Sequence, residues 1–399
     1  MNKYNFIADT AEFVTTDSAE LTAFLEEREA NSIWLTDNDG VSADTTRFQP
    51  IFAEPICVPA AVDKLKQSTT VKFTASEEAY ADTMYAPDNG YEGSSQMVFV
   101  KGRLAPMGMS AVKGAIDRAG LKTEGYEKLK KFSPQSLADV LNLCMQASSG
   151  GLCVLIQDEK VRAINSGRYA ICPATYVLQT MQDWVNAERP QAKFVKAYAN
   201  HDVMTWSLDL SAYTSEVLGS FPALATCGFE PALTIRLSHT GNSSVSLQPS
   251  LMRDGIVFPI GEPINCPHIG SGSADERTLQ VEAAVKENFN QIFPSLEKSA
   301  KAIEKLDSIT IKNAHSALIG AMKALKLPRA QAAEVAEQFE QIYPDAATAY
   351  DLYGAVLDVF SLFVAENPKD ERKMLDVAEA VKRASVLKWT DYDIPGVTW

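Results

Sequence analysis

The apolar residues of this chain change period near Ser273, and that change constrains the fold more than any other feature. Between about Leu152 and Ile260, apolar residues alternate with polar ones in short runs broken by turn residues. After Ser273 they recur at three- and four-residue spacing almost to the end, as in AHSALIGAMKAL and YDLYGAVLDVFSLFV. Period two buries one face of a strand, and period 3.6 buries one stripe of a helix. Strands in one stretch and helices in another predict an α+β fold rather than alternating βαβ units. The expected architecture is a central antiparallel sheet with helices, followed by an all-helical C-terminal bundle. A chain of 399 residues is long for one core, and three regions are expected: an irregular one over 1–95, an α+β core over 96–273 and a helical one over 274–399.

Local signals fill in this outline. Asp17 and Ser18 cap a helix through Glu29 with Leu21, Phe24 and Leu25 inward. The run QPIFAEPICVPAAV carries Pro50, Pro55 and Pro59, which remove ladder donors, so it is expected to be extended but not a central strand. Met97 to Val100 reads as a strand. Ser133, with Pro134 behind it, predicts a helix to about Ala147. Leu152–Ile156 and Val161–Ile164 flank the polar turn Gln157 to Lys160 as a hairpin, and KFVKAYA pairs with VMTWSLDL across Asn200, His201 and Asp202. A helix is expected from about Ala174 to Ala187, and strands at Leu233–Ser238, Val245–Met252 and Ile256–Ile260. Pro294, Pro328, Pro344 and Pro368 separate the later helices. Gly270 to Ser273 reads as a flexible linker, because no glycine-rich phosphate loop accompanies it.

Composition excludes several classes. Apolar residues make up 46% of the chain, enough for a buried interior. No window approaches a membrane-spanning length, and MNKYNFIADTAEF lacks the apolar core of a secretory signal, so a cytoplasmic protein without membrane contact is expected. Cys57, Cys144, Cys153, Cys172, Cys227 and Cys266 are scattered singly with no CxxC pair, which predicts reduced core thiols and no zinc site. No cofactor motif occurs, and no HExxH, GxSxG or calcium-loop spacing is met; counted from Asp37, an EF-hand fails at Val41 and Ser42. An enzyme would require His201, His239 and His268 to meet in space.

Charge is the remaining signal. The net charge is −14, yet residues 101–200 hold 14 Lys and Arg against 8 Asp and Glu, so the rest of the chain carries −20. Lys101, Arg103, Lys113, Arg118, Lys122, Lys128, Lys130 and Lys131 crowd about thirty residues beside Tyr126 and Phe132. The hairpin adds Lys160, Arg162 and Arg168, with Tyr169 next to the last. Mobile cations hold phosphates, and aromatic faces stack on unpaired bases, so these residues are the candidate nucleic-acid site. A solvated face offsetting nearby carboxylates explains the same run without any ligand.

The stretch GLCVLIQDEKVRAINSGRYAICPATYVLQTMQDW resembles a family of phage- and plasmid-encoded proteins known as domain of unknown function nine-three-two. The matching residues are Val161 to Ile164, then Ser166, Gly167, Arg168 and Tyr169. LTIRLSHTGNSSVSLQPSLMRDGIVFP is similar to the family's second feature, a strand pair with an asparagine-serine turn, and His268-Ile269-Gly270 to its histidine-x-glycine. The likeness spans about Leu137 to Ser273, a third of the chain. Arg253-Asp254-Gly255 stands where the family has a cysteine-x-asparagine-glycine step. The resemblance implies a mobile-element origin in a host cell and a place near phage DNA metabolism. The expected function is therefore non-catalytic binding of nucleic acid, single-stranded DNA above all, in replication, recombination or annealing. The alternative is a protein-interaction module, structural or an acidic inhibitor of a host defence complex, with host or phage proteins as partners; a homo-oligomer fits either.

Overall fold

The computed structural model describes residues 12–36, 51–57, 94–100, 103–132, 140–141, 143–144, 152–158, 160–241 and 243–399. Of 51–57, 94–100 and 103–106 it describes the backbone alone. The expected helix from Ser133 falls mostly outside these residues, as does the Asp37 turn.

The α+β class holds. The strands are β1 (Phe13–Thr15), β2 (Ser32–Thr36), β3 (Ile51–Cys57), β4 (Ser94–Val100), β5 (Arg103–Pro106), β6 (Leu152–Gln157), β7 (Lys160–Ser166), β8 (Lys193–Ala199), β9 (Met204–Asp209), β10 (Glu230–Leu237), β11 (Val245–Arg253), β12 (Ile256–Pro259) and β13 (Ile264–Cys266), with a small late pair, β14 (Thr310–Ile311) and β15 (Ala347–Thr348). The main sheet is antiparallel in the order β1-β8-β9-β10-β11-β12, and β13 pairs with the first half of β11. Two three-stranded sheets, β2-β6-β7 and β3-β4-β5, accompany it. The proline-spaced run is extended, as expected, and forms the edge strand β3 rather than a central one. It pairs with β4, and its register shifts between Ala53 and Ile56, so Pro55 falls in a bulge where no ladder donor is missed.

The N-terminal segment is more regular than expected. The helix α1 (Ser18–Ala30) is capped by the Asp17 side chain and buries Leu21, Phe24, Leu25 and Arg28. On its two sides β1 joins the main sheet along β8 while β2 joins the small sheet along β6. This one segment therefore stitches two sheets together.

The glycine- and lysine-rich stretch after β5 folds into two helices, α2 (Met109–Arg118) and α3 (Thr123–Phe132). Both pack on the small sheet, where Met107, Ala111, Ala115, Ile116, Tyr126, Val154, Val161 and Ile164 form a core. Gly114 is where α2 comes closest to β7: a Cβ there would stand 2.5 Å from the Ile164 carbonyl oxygen. Gly114→Ala must push the helix away, and overpacking of this kind costs about 1–3 kcal/mol. The expected readout is a urea midpoint lowered accordingly; an unchanged midpoint would show that α2 does not seat on β7 in this way.

In the main sheet, period two sorts the residues cleanly. Met204, Trp206 and Leu208, Leu233, Ile235 and Leu237, and Val245, Leu247 and Leu251 enter the larger core. Thr205 and Ser207, Thr234 and Arg236, and Ser246 and Gln248 lie in the alternate positions. Helix α4 (Ala174–Glu188), the short α5 (Thr214–Leu218) and α6 (Pro222–Thr226), and α7 (Ala274–Phe289) and α8 (Ile292–Glu304) cover the apolar face. Then come α9 (Ala314–Leu325), α10 (Arg329–Ile342), α11 (Ala349–Glu366) and α12 (Glu371–Ala384). Sheet and late helices share one buried cluster from Phe13 to Trp389.

Two readings of punctuation are corrected. Gly270 to Ser273 is not a linker: Ser273 and Glu276 form a reciprocal capping box that opens α7, and Gly272 has φ +90 with no room for a Cβ beside Glu276. Pro294 does not separate helices but sits in the first turn of α8, where its missing N–H is not needed.

Candidate functional site

Of the basic window from Lys101 to Lys131, the side chains of Lys113, Arg118, Lys122 and Lys128 are the described ones. Lys101 lies outside the described residues, and Arg103, Lys130 and Lys131 are placed by backbone only, on β5 and α3. Lys113 and Arg118 are exposed on α2, and Lys122 is exposed just before α3. Lys128 is spent on Glu124 one turn back, at 2.6 Å. Arg168 is exposed in the turn after β7.

Two of the proposed contacts are corrected outright. Arg162 is 1% exposed, because β7 is covered on both faces. It lies close enough to Arg28 to help depress that residue's pKa, after burial, to about 10. Tyr169 is 7% exposed. Its ring stacks on His268 at 4.9 Å and on Trp34 at 5.6 Å, and its hydroxyl donates to the carbonyl of Ser238 at 3.3 Å. No base can reach either face of that ring.

The three histidines are buried in the loops at the same end of the sheet. His201 Nε2 faces Asp202 Oδ2 at 3.1 Å. Burial pushes the Asp202 carboxyl up, but hydrogen bonds from His201, Ser110 and Thr240 outweigh it and hold the group at about 2. His239 Nε2 meets the Cys172 carbonyl at 3.1 Å, and His268 Nδ1 meets that of Ala170 at 3.0 Å. Burial, then the charges of Arg28 and His268, press His239 down to about 3. Among the described residues no three His, Cys, Asp or Glu are arranged to hold a metal ion. These rings serve packing and hydrogen bonding between loops.

The surface instead opens in two hollows that join. The larger, about 780 Å³, lies between α2, the start of α3, the β8–β9 turn and the start of α12. Its charged lining comprises Lys113, Lys160, Arg236 and Arg372, with Asp117, Glu127, Asp202 and Asp376 among them. Met107, Met109, Val112, Ile116 and Val203 supply apolar patches. The smaller, about 470 Å³, lies over the polar face of β8 to β11 and is walled by α11 and α12. The two share Arg236, Ser243 and Leu375, which makes them one trough.

The junction holds two unmatched buried groups. Arg236 Nε and Ser243 Oγ are both shielded from water and have no hydrogen-bond partner. A buried donor left unmet costs about 1–3 kcal/mol. Nothing else in the trough's lining offers two such groups together. An anionic ligand at the junction would meet the charge of Arg236, and Lys113 and Arg372, which make no ion pair among the described residues, line the larger hollow with it.

Of the expected site residues the trough uses Lys113, with Lys160 of the hairpin beside it. Arg236 and Ser243 went unnoticed in the sequence, although the alternation in LTIRL does place Arg236 opposite the core. Arg372, on an amphipathic helix far along the chain, carried no local signal.

Comparison with protein-family models, with curated proteins and with solved structures finds no match for this chain. No helix among the described residues is long and apolar enough to cross a membrane.

Proposed function

We propose that this chain binds single-stranded nucleic acid without catalysis, along the trough, in the service of phage or plasmid DNA replication, recombination or annealing. The observation that carries the reading is the junction: two desolvated donors, Arg236 Nε and Ser243 Oγ, unmet at the meeting point of two hollows. Cations and hydroxyls position phosphates, while apolar patches accept the faces of unpaired bases. The trough combines both. The trough leaves room for one strand threaded past Lys113, Arg236 and Arg372. The phage or plasmid setting is the part of the proposal that rests on the sequence resemblance alone.

Three phosphate contacts imply a shallow salt dependence, a log–log slope of about −2 for a single strand. Fluorescence anisotropy with a labelled oligothymidylate should return that slope. Arg236→Glu combined with Arg372→Glu should weaken binding at least about tenfold at low salt and flatten the slope. Lys128→Glu, whose lysine is already paired with Glu124, should change neither. A titration that stays flat at low salt for single and double strands alike ends the proposal.

A further inference from the structure

The smaller hollow has two chemically different walls, and a phosphate at Arg236 would stand at its mouth. On the sheet side Thr205, Ser207, Thr234, Ser246 and Asn265 line it. Ser207 and Thr234 are linked at 3.2 Å, and Thr234 and Ser250 again at 3.2 Å. Each hydroxyl can donate or accept, so the row adapts to whatever edge faces it. Gln248 is pinned by its amide N–H groups on the carbonyls of Pro249 and Ile260, at 3.0 and 2.7 Å, which leaves its oxygen as a fixed acceptor. On the helix side Phe360, Val364, Met374, Leu375 and Ala378 are apolar, while Glu379 and Lys382, paired with each other, line it as well. Lys196 of β8 and Glu371 of α12 form an ion pair that ties sheet to helix beside the slot.

A planar ring with a polar rim matches this pair of walls: its face lies on carbon and its edge meets hydroxyls. The hollow's 470 Å³ lies within the range of about 300–1,000 Å³ typical of small-molecule sites, ample for one base and its sugar. Nothing in the larger hollow pairs an apolar wall with a hydroxyl row in this way. The connection at Arg236 and Ser243 sets the order: phosphate at the junction, its attached base in the slot.

We infer that the slot between the polar sheet face and α11/α12 receives one unstacked base of the bound strand, whose phosphate rests on Arg236 and Ser243. This rests on the strand-binding reading above and goes further by assigning the trough a nucleotide subsite. The hydroxyl row accepts donors and acceptors alike, so purines and pyrimidines both enter.

The test uses the full chain and a single-stranded oligonucleotide carrying 2-aminopurine, whose emission rises when the base leaves its stack. Emission should climb on binding. A strand with abasic sites throughout, keeping every phosphate, should bind about tenfold more weakly. Ala378→Phe, which fills the slot, should abolish the rise while leaving the salt slope of anisotropy intact. Thr234→Val, which removes one hydroxyl without changing shape, should diminish it and guards against misfolding of the bulkier variant. Strand binding with the expected slope, but no emission change and equal affinity for the abasic strand, overturns the subsite and leaves the trough standing. No strand binding at all removes both.

Discussion

Replacing Arg28 with methionine is expected to lower the unfolding free energy by about 2–4 kcal/mol. Arg28 is buried on α1, the helix between the strand that joins the main sheet and the strand that joins the small one. Its Nε donates to Gln157 Oε1 at 3.1 Å at the end of β6, and its Nη1 donates to the Asn200 carbonyl at 2.9 Å in the β8–β9 turn. One guanidinium thus fastens both sheets to the helix. Methionine fills much of the volume but strands two buried acceptors. Relief of the like charge of Arg162 returns part of the loss, and the attraction of Asp158 and Asp202 is forfeited. Lysine keeps the charge without the planar fork, so Arg28→Lys should recover less than half. Urea unfolding reads the total, and a double-mutant cycle with Gln157→Leu should show coupling, since the two side chains share one hydrogen bond. A shift below about 0.5 kcal/mol for Arg28→Met would mean that the sheets hold each other without this clamp.

That clamp also explains where sequence reading succeeded and where it stopped. Elements whose evidence is local were legible. Helix α4, the β6–β7 hairpin and the β8–β9 hairpin lie within a residue or two of their expected bounds, because period and turn chemistry are written in adjacent residues. Helices α2 and α3 were not, since Gly114, Gly120 and Gly125 interrupt the helical pattern and no element is expected from the sequence there. Gly114 is there because a helix must touch β7, a requirement set by a strand fifty residues on. Arg162 and Tyr169 were misread as surface for a related reason. A strand covered on both faces has no alternation to reveal which polar residue is enclosed, and a tyrosine beside an exposed arginine does not announce that His268 and Trp34 will sandwich it. The trough lay further out of reach. Its walls come from α2, the β8–β9 turn, β10 and α12, and only the fold places Lys113, Arg236 and Arg372 together. The polar face of the sheet was half visible: alternation in VMTWSLDL, LTIRL and VSLQ shows the hydroxyl positions, but not that α12 stops short of covering them.

The second large effect concerns acid. His239 titrates near 3 in the folded chain against about 6.5 when unfolded. Between those values the unfolded chain binds more protons, so stability must fall as the pH falls. The contribution of His239 is fully present above about pH 6.5 and drains away toward pH 3. The slope is about 1.4 kcal/mol per pH unit, or about 2 kcal/mol between pH 7 and pH 5. Geometry explains the sign. The neutral ring donates Nε2–H to the Cys172 carbonyl, and its other nitrogen, Nδ1, has no partner in a buried site. A bare lone pair is tolerable there, but a proton on it would be an unmet charged donor beside Arg28. His268 is lowered by burial too, with Nε2 likewise unmatched, and its contribution has the same sign. Asp202, held at about 2, contributes a loss of its own only below about pH 4 and leaves the higher window to the histidines. The measurement is a set of urea unfolding curves from pH 7.5 to 4.5. His239→Gln keeps a donor for Cys172 and cannot titrate, so it should remove about 1.4 kcal/mol per unit from the slope. If the variant's profile runs parallel to that of the original protein across this window, His239 is not enclosed as the structure has it. The loop that carries Ser238 to Ser243 into the trough would then need a different anchor.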